Sequence, residues 1–488
     1  MNVFRTFGTG AIIVLSVMFC FGQDSSGITI SPHGLGIMDE GLIFSGYDKN
    51  AGNISKVLFN RIFLRIGLDV NLSEKTSFAG SMELKTFNEF PRLVNLGGTR
   101  RFYYYIYAHQ VELTRKLIEN SKLHWYIGGG YFPYKYNKDV RNLGEYLFRS
   151  TAYPQTITTE FDFAFARLLG LYSRASYSTG PHTLNADLLL THNTEWIAIG
   201  DVNLSLIASY NLAQLFEVGA GVEFSSLISV DEATTSPPSR STRYLDGSDT
   251  SGYYTFRGTK VMGRLSFDPK KLFNASIFGD SDLVLYSEAT LLGTKNYDVA
   301  LYSPIWYNSI LERIPVTGGF NWPTHPLMSY TVVPAFLTFG LQDKGEIDFS
   351  DFVDPQVLAA AGAGAVSGVG LWLLQRKFKI KTGLDILNFE LEWWGNRYPN
   401  SMQGIVDDGL PLPFREGTTE IDSTTYKRDN WKWSVYGAKS FAKHYRLAFQ
   451  IASDHMRTFA WDWNRQDWEE ALRGPDKWYF VVRFGVMF

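Results

Sequence analysis

The sequence predicts an all-β chain, a single transmembrane antiparallel β-barrel of about 16–18 strands after a signal peptide. Three observations predict it. Apolar residues recur at every second position through most of the chain, which is the period of a strand with two unlike faces. Aromatic residues make up 16% of the 488 residues, with 27 Tyr, 36 Phe and 13 Trp, while the mean hydropathy stays close to zero. That balance is too polar for a bundle of membrane helices and fits a barrel with aromatic girdles. Finally, the N-terminus reads as an export leader.

The leader comes first in the chain. One basic residue, Arg5, precedes an apolar run from Ala11 to Phe21, which is too short to span a bilayer as a helix. Small residues at Cys20 and Gly22 place cleavage after Gly22, giving a leader over 1–22 and a barrel over 23–488. Cys20 as a lipid-attachment site competes with this reading, but Phe19 before it is a poor fit. The single cysteine is then lost with the leader, and a mature chain without cysteine has no disulfide and no thiolate site.

The clearest strand is "RIFLRIGLDVNL", with Ile62, Leu64, Ile66 and Leu68 on one face and Arg61, Arg65 and Asp69 on the other. A polar link over 73–76 leads to a second amphipathic arm, with Met82 and Leu84 opposed by Glu83 and Lys85, the signature of a hairpin. Similar pairs follow at 101–115 with 122–135, 157–176 with 182–193, and 196–210 with 215–229. Others lie at 251–267 with 277–290, 311–320 with 327–340, 373–382 with 387–395, 429–438 with 443–457, and a last arm at 476–488. "GLIFSGY", 41–47, supplies the first strand needed for an even number, giving eighteen, or sixteen if the weak 311–340 pair is merged. The alternation slips phase near Val111 and over Arg167–Leu171, which reads as bulges or misplaced ends. Short links alternate with long polar connections, as turns and loops do on the two faces of an outer-membrane barrel. Val357 to Leu374 carries no charge. Its Gly and Ala content gives it little drive to insert as a helix, so it reads as a loop packing into the barrel mouth.

"RKFKIK" puts Lys377, Lys379 and Lys381 on one face, and "FELEWW" puts Glu390 and Glu392 opposite Phe389, Leu391 and Trp393. Paired as a hairpin, these set Lys379 against Glu390 and Lys377 against Glu392. Charges of this kind are costly on a lipid face. Together with Arg61, Arg65, Glu83 and Arg483 they predict a wet, pore-lining interior, because a dry core could not hold them.

The final stretch, "WYFVVRFGVMF", places Trp478, Phe480, Val482, Phe484, Val486 and Phe488 on one apolar face. Here the chain resembles bacterial outer-membrane β-barrels of the general porin type, whose last strand carries a terminal Phe and alternate apolar residues. The resemblance implies that these six residues form an assembly signal read by the barrel assembly machinery. It also implies contact with outer-membrane lipid and passive passage of ions and small polar solutes. It covers the architecture of the whole mature chain but carries over no solute specificity and no oligomeric state.

With 46 Lys+Arg against 49 Asp+Glu, nothing favours nucleic acid. His192 and His455 have acidic or hydroxyl neighbours, and "VDDG" over 406–409 pairs two carboxylates, but no spacing ties them to further ligands. No cofactor, metal set or catalytic residue is therefore expected. Two alternatives stay open: a plugged barrel acting as an adhesin or secretion-complex anchor, and a barrel-embedded hydrolase with its site at the loop rim.

Overall fold

The computed structural model describes residues 28–48, 52–88, 102–149, 166–192, 202–228, 241–243, 249–251, 258–273, 278–294, 310–324, 384–395, 400–401, 414–415, 429–441, 444–459 and 466–488. Sixteen antiparallel strands close into one barrel. They are β1 (Thr29–Asp48), β2 (Gly52–Asn71), β3 (Thr76–Asn88), β4 (Phe102–Glu119), β5 (Leu123–Tyr134), β6 (Ala166–Thr179), β7 (His182–His192) and β8 (Val202–Leu212). Then come β9 (Phe216–Ile228), β10 (Gly258–Phe267), β11 (Leu285–Leu291), β12 (Pro315–Asn321), β13 (Ile386–Trp394), β14 (Trp431–Phe441), β15 (Tyr445–Ser453) and β16 (Trp478–Met487). Each strand pairs with its neighbour in sequence, and β1 pairs with β16 to close the ring, with Asp39 opposite Arg483. Closure removes the unpaired edges that hydrocarbon would not tolerate. Among the described residues no helix is long and apolar enough to cross a membrane.

The alternation sorts the side chains as a barrel requires. Leu58, Ile62, Leu64 and Ile66 on β2, Leu169 and Leu171 on β6, and Leu184, Leu188 and Leu190 on β7 all stand on the outside. Trp125, Tyr177, Tyr210, Phe441 and Tyr445 cluster on the outer face near the short-turn end, where amphipathic rings suit a membrane interface. Trp478, Phe480, Val482, Phe484 and Val486 occupy the outer row of β16, while Tyr479, Val481 and Arg483 are buried within. Phe488 follows the strand. It exchanges backbone hydrogen bonds with Gly34 at 2.7 and 3.0 Å, and its ring covers Gly34 so closely that a Cβ there would lie 2.2 Å from Cε2.

Several expectations need correcting. The wall has sixteen strands, not eighteen, because β12 pairs directly with β13, Thr317 opposite Glu392 and Gly319 opposite Glu390. The arms expected at 327–340 and 373–382 lie outside the described residues. The other edge of β13 is taken by β14, with Glu390 opposite Ser434 and Glu392 opposite Lys432. With both edges occupied, the hairpin that sets Lys377 and Lys379 against these glutamates cannot form. The two ends of the connection 322–385 both lie at the short-turn rim, beside β13. The first strand runs from Thr29, well before Gly41. Its Pro32 sits below the end of β16, where that flank of β1 has no partner needing an N–H.

Near Val111 the expected bulge is present, since Ser81 pairs with Gln110 and Met82 with Ala108, leaving His109 over. Arg167–Leu171 is different: its register against β5 and β7 is unbroken. The slip in phase there comes from Leu168, an apolar residue packed on a buried cluster inside the barrel. The leader over 1–22, the segment 357–374 and residues Lys377, Lys379 and Lys381 lie outside the described residues.

Candidate functional site: a lumen crossed by an inserted loop

Period two brings one residue in two to the inner wall, and the inner wall is charged. Beside the closure, Asp39 on β1 stands opposite Arg61 on one flank and Arg483 on the other. Arg61 donates to Asp39 Oδ2 from Nε at 2.9 Å and Nη2 at 2.5 Å, and Arg483 donates from Nε to Oδ1 at 2.7 Å. One strand on, Arg65 donates to Glu83 Oε2 at 2.9 and 2.6 Å, and Lys85 Nζ lies 3.0 Å from Glu83 Oε1. Phe63 lies at the centre of this ladder, with Arg61, Arg65, Lys85 and Arg483 between 5.3 and 6.0 Å from its ring centroid. The register thus gathers Arg61, Arg65, Glu83 and Arg483 into one inner cluster of charge-assisted hydrogen bonds, which are stronger than neutral ones.

Glu390 and Glu392 also face inward, but their partners lie in the connection after β5. Residues 135–149, "KYNKDVRNLGEYLFR", fold into the barrel and are largely buried. Three wall carboxylates hold them. Glu390 accepts the backbone N–H groups of Arg141, Asn142 and Leu143 at 2.6, 2.8 and 2.9 Å, and the Tyr286 hydroxyl at 2.5 Å. Successive N–H groups converging on one carboxylate form an anion nest, here filled by the protein's own side chain. Glu288 accepts the Tyr136 hydroxyl at 2.7 Å, Asn137 Nδ2 at 2.8 Å and the Tyr146 N–H at 2.9 Å. Glu392 accepts the Tyr146 hydroxyl at 2.7 Å. Burial, with the Glu288 carboxylate alongside, pushes the Tyr136 hydroxyl well above the usual tyrosine range, so it remains a donor.

The loop's turn depends on Gly144, at φ 108°, followed by Glu145 at φ 61°, whose carboxylate caps the Asn137 N–H. A Cβ at Gly144 would meet Val140 at 2.9 Å and Thr317 at 3.0 Å. The loop's apolar residues go the other way: Tyr136 and Leu147 join Phe132, Tyr134, Tyr172, Leu189, Ile207 and Met262 in a buried cluster on the wall.

A second segment enters from the connection after β15. His455 lies between Glu392, 2.5 Å from its Nε2, and Glu470, 2.7 Å from its Nδ1. Burial opposes the imidazolium, but the two carboxylates outweigh it and raise the His455 pKa to about 10. Asp454 accepts from Asn142 Nδ2 and from the Tyr479 hydroxyl, each at 2.8 Å, tying the two segments together. Met456, Ala471 and Leu472 pack inside with Ile43, Phe59, Tyr436 and Val481.

Sequence reasoning found the wall charges and missed what they hold. The stretch 136–156 reads in the sequence as one of the long polar connections, and His455 as a lone histidine. The available signal was the excess of inward carboxylates over inward cations on the strands around Glu288, Glu390 and Glu392. Among the described residues no group of three His, Cys, Asp or Glu side chains could hold a metal ion.

No family model and no curated protein matches the sequence. Solved structures similar to this chain include a mutant of the Rh. blastica porin, 8% identical, with a TM-score of 0.39, covering 94% of this chain and 100% of that one. A triple mutant of Rhodopseudomonas blastica porin is 7% identical at the same TM-score and the same coverage. These superpositions are loose, and the barrel rests on its own continuous register. Apolar outside, charged within and crossed by a loop anchored on wall carboxylates, the chain is a closed antiparallel β-barrel of sixteen strands.

Proposed function

We propose that the protein is a porin-like channel of the bacterial outer membrane, passing ions and small polar solutes by diffusion through a lumen narrowed by residues 135–149. The observation that carries this reading is the sorting of the wall: arginine, lysine and carboxylate side chains inside, and an apolar face outside, a closed ring of sixteen strands. A ring of that size leaves room for an aqueous path, and selectivity then follows the charges and constrictions along it. The same reading assigns outer-membrane lipid to the apolar belt. It gives the outer row of β16, with Phe488, to recognition by the barrel assembly machinery, and 1–22 to a cleaved leader. The test is reconstitution of the purified protein in a planar bilayer, with discrete conductance steps expected. One observation favours a second reading: the inserted segments pack into apolar clusters inside the barrel. A folded barrel giving no steps would be a plugged interaction protein.

A further inference from the structure

Beneath the inserted loop, toward the short-turn rim, the inner wall of β4–β7 lines an open cavity of about 510 Å³. Arg174 is its most unusual lining residue. The register sets Arg174 directly opposite Tyr126 on β5 and Asp187 on β7. Directly opposed charges in a sheet usually pair, yet these two form no ion pair. The guanidinium instead lies over the rings of Tyr172, Tyr134 and Phe132, at 4.3, 5.0 and 5.8 Å. Its Nε and Nη2 are buried without an acceptor among the described residues. A guanidinium offers its donors in a rigid fork shaped for a carboxylate, and leaving such donors unmet is costly.

The carboxylates on the cavity wall take other donors. Glu112, also on the cavity wall, accepts from Gln110 at 2.6 Å and from the Tyr172 hydroxyl. Asp187 takes the Tyr134 hydroxyl on Oδ2 at 2.7 Å, and its other oxygen makes no hydrogen bond among the described residues. Two positions along the same face, Asn185 donates from Nδ2 to Ser209 at 3.2 Å, which leaves its carbonyl oxygen as an acceptor beside Asp187. The cavity therefore presents an aromatic-backed cation on one strand and, on the next, a carboxylate oxygen with an amide oxygen.

We infer that this cavity binds a small zwitterionic solute of the α-amino-acid class, its carboxylate on Arg174 and its ammonium on Asp187 and Asn185. A free anion would meet Glu112 and Asp187 unscreened, and a free cation would meet Arg174. A zwitterion matches both signs at once. As a statement about what crosses the membrane this rests on the channel reading, but binding itself does not.

Calorimetric titration of the full chain in detergent with L-alanine, acetate, methylammonium and glucose tests the inference. Saturable binding of L-alanine is expected, with acetate, methylammonium and glucose each weaker. Arg174→Gln and Asp187→Asn, checked for heat-modifiable migration, should each weaken alanine binding by about tenfold or more, as loss of one charge-assisted contact implies. Should Arg174→Gln fail to fold, Arg174→Lys keeps the charge and loses the fork, and it should still bind more weakly than the parent. The inference is overturned by absence of saturable alanine binding, by acetate or glucose binding as tightly as alanine, or by unchanged affinity in the variants. Alanine binding by a barrel that shows no conductance would remove the channel reading and leave the site standing.

Discussion

Glu390 is buried in the wall with four hydrogen-bond donors on it, three of them backbone N–H groups. A carboxylate taken out of water is stable only when its oxygens are met in this way. Glu390→Gln keeps the shape but turns one acceptor into a donor facing N–H groups, at a cost of about 1–3 kcal/mol for each donor left unmet. The loop should loosen while the barrel stays folded. Single-channel records of the variant should show a larger, noisier current, and an unchanged current would refute the anchoring role. His455 makes a second residue-scale prediction. Its folded pKa of about 10 lies above the ordinary value of 6.5, so its contribution is complete below about pH 6.5 and is lost as pH rises through 10. Current noise in the parent should therefore grow between pH 7 and 10.5. In His455→Gln, which has no imidazolium to lose, the pH dependence should be flat.

At the scale of elements, a strand was legible wherever its two faces differed. β2 shows this, because Arg61 and Arg65 face inward while Ile62, Leu64 and Ile66 stand exposed on the outer face. The pattern fails where the inside is apolar too. Ile43, Phe59 and Val481 serve one inner cluster, and Leu168 packs on the other, so the contrast that period two depends on is lost there. Residues 135–149 were illegible for another reason: their order comes from Glu288, Glu390 and Glu392, which lie far along the chain. Alternation says that a stretch can be a strand but not which strand lies beside it, and β12 had already taken the edge of β13. The inserted loop carries the third prediction. Replacing 137–145 with a short Gly-Ser link removes the three N–H contacts to Glu390 and the Asn137 contact to Glu288 but none of the strand register. The barrel should still resist detergent, and its mean conductance should rise severalfold. A fall in conductance would mean that these residues do not stand in the conducting path.

On the scale of the whole molecule, the connections carry the strongest constraint. β2–β3, β4–β5, β6–β7, β8–β9 and β14–β15 turn within a few residues on one rim, and β1 begins and β16 ends on that rim. The connection 322–385 leaves and re-enters there as well: Trp322 donates to Leu387 O at 2.7 Å, and Asp385 donates to Ala438 O at 2.8 Å. Short turns of outer-membrane barrels face the periplasm and long loops face outward. On the channel reading proposed above, both ends of the longest connection therefore stand on the periplasmic rim, whereas 229–257 and 396–428 leave from the other rim. An epitope inserted near 345 should be hidden on intact cells and revealed on permeabilised ones, and epitopes near 236 or 408 should be labelled without permeabilisation. Two further strands over 327–340 and 373–382 would carry residue 345 to the outer rim while leaving 236 and 408 where they are. Labelling at 345 on intact cells would thus restore an eighteen-strand wall and end the sixteen-strand register at β12 and β13. Labelling at all three positions only after permeabilisation would invert the barrel in the membrane.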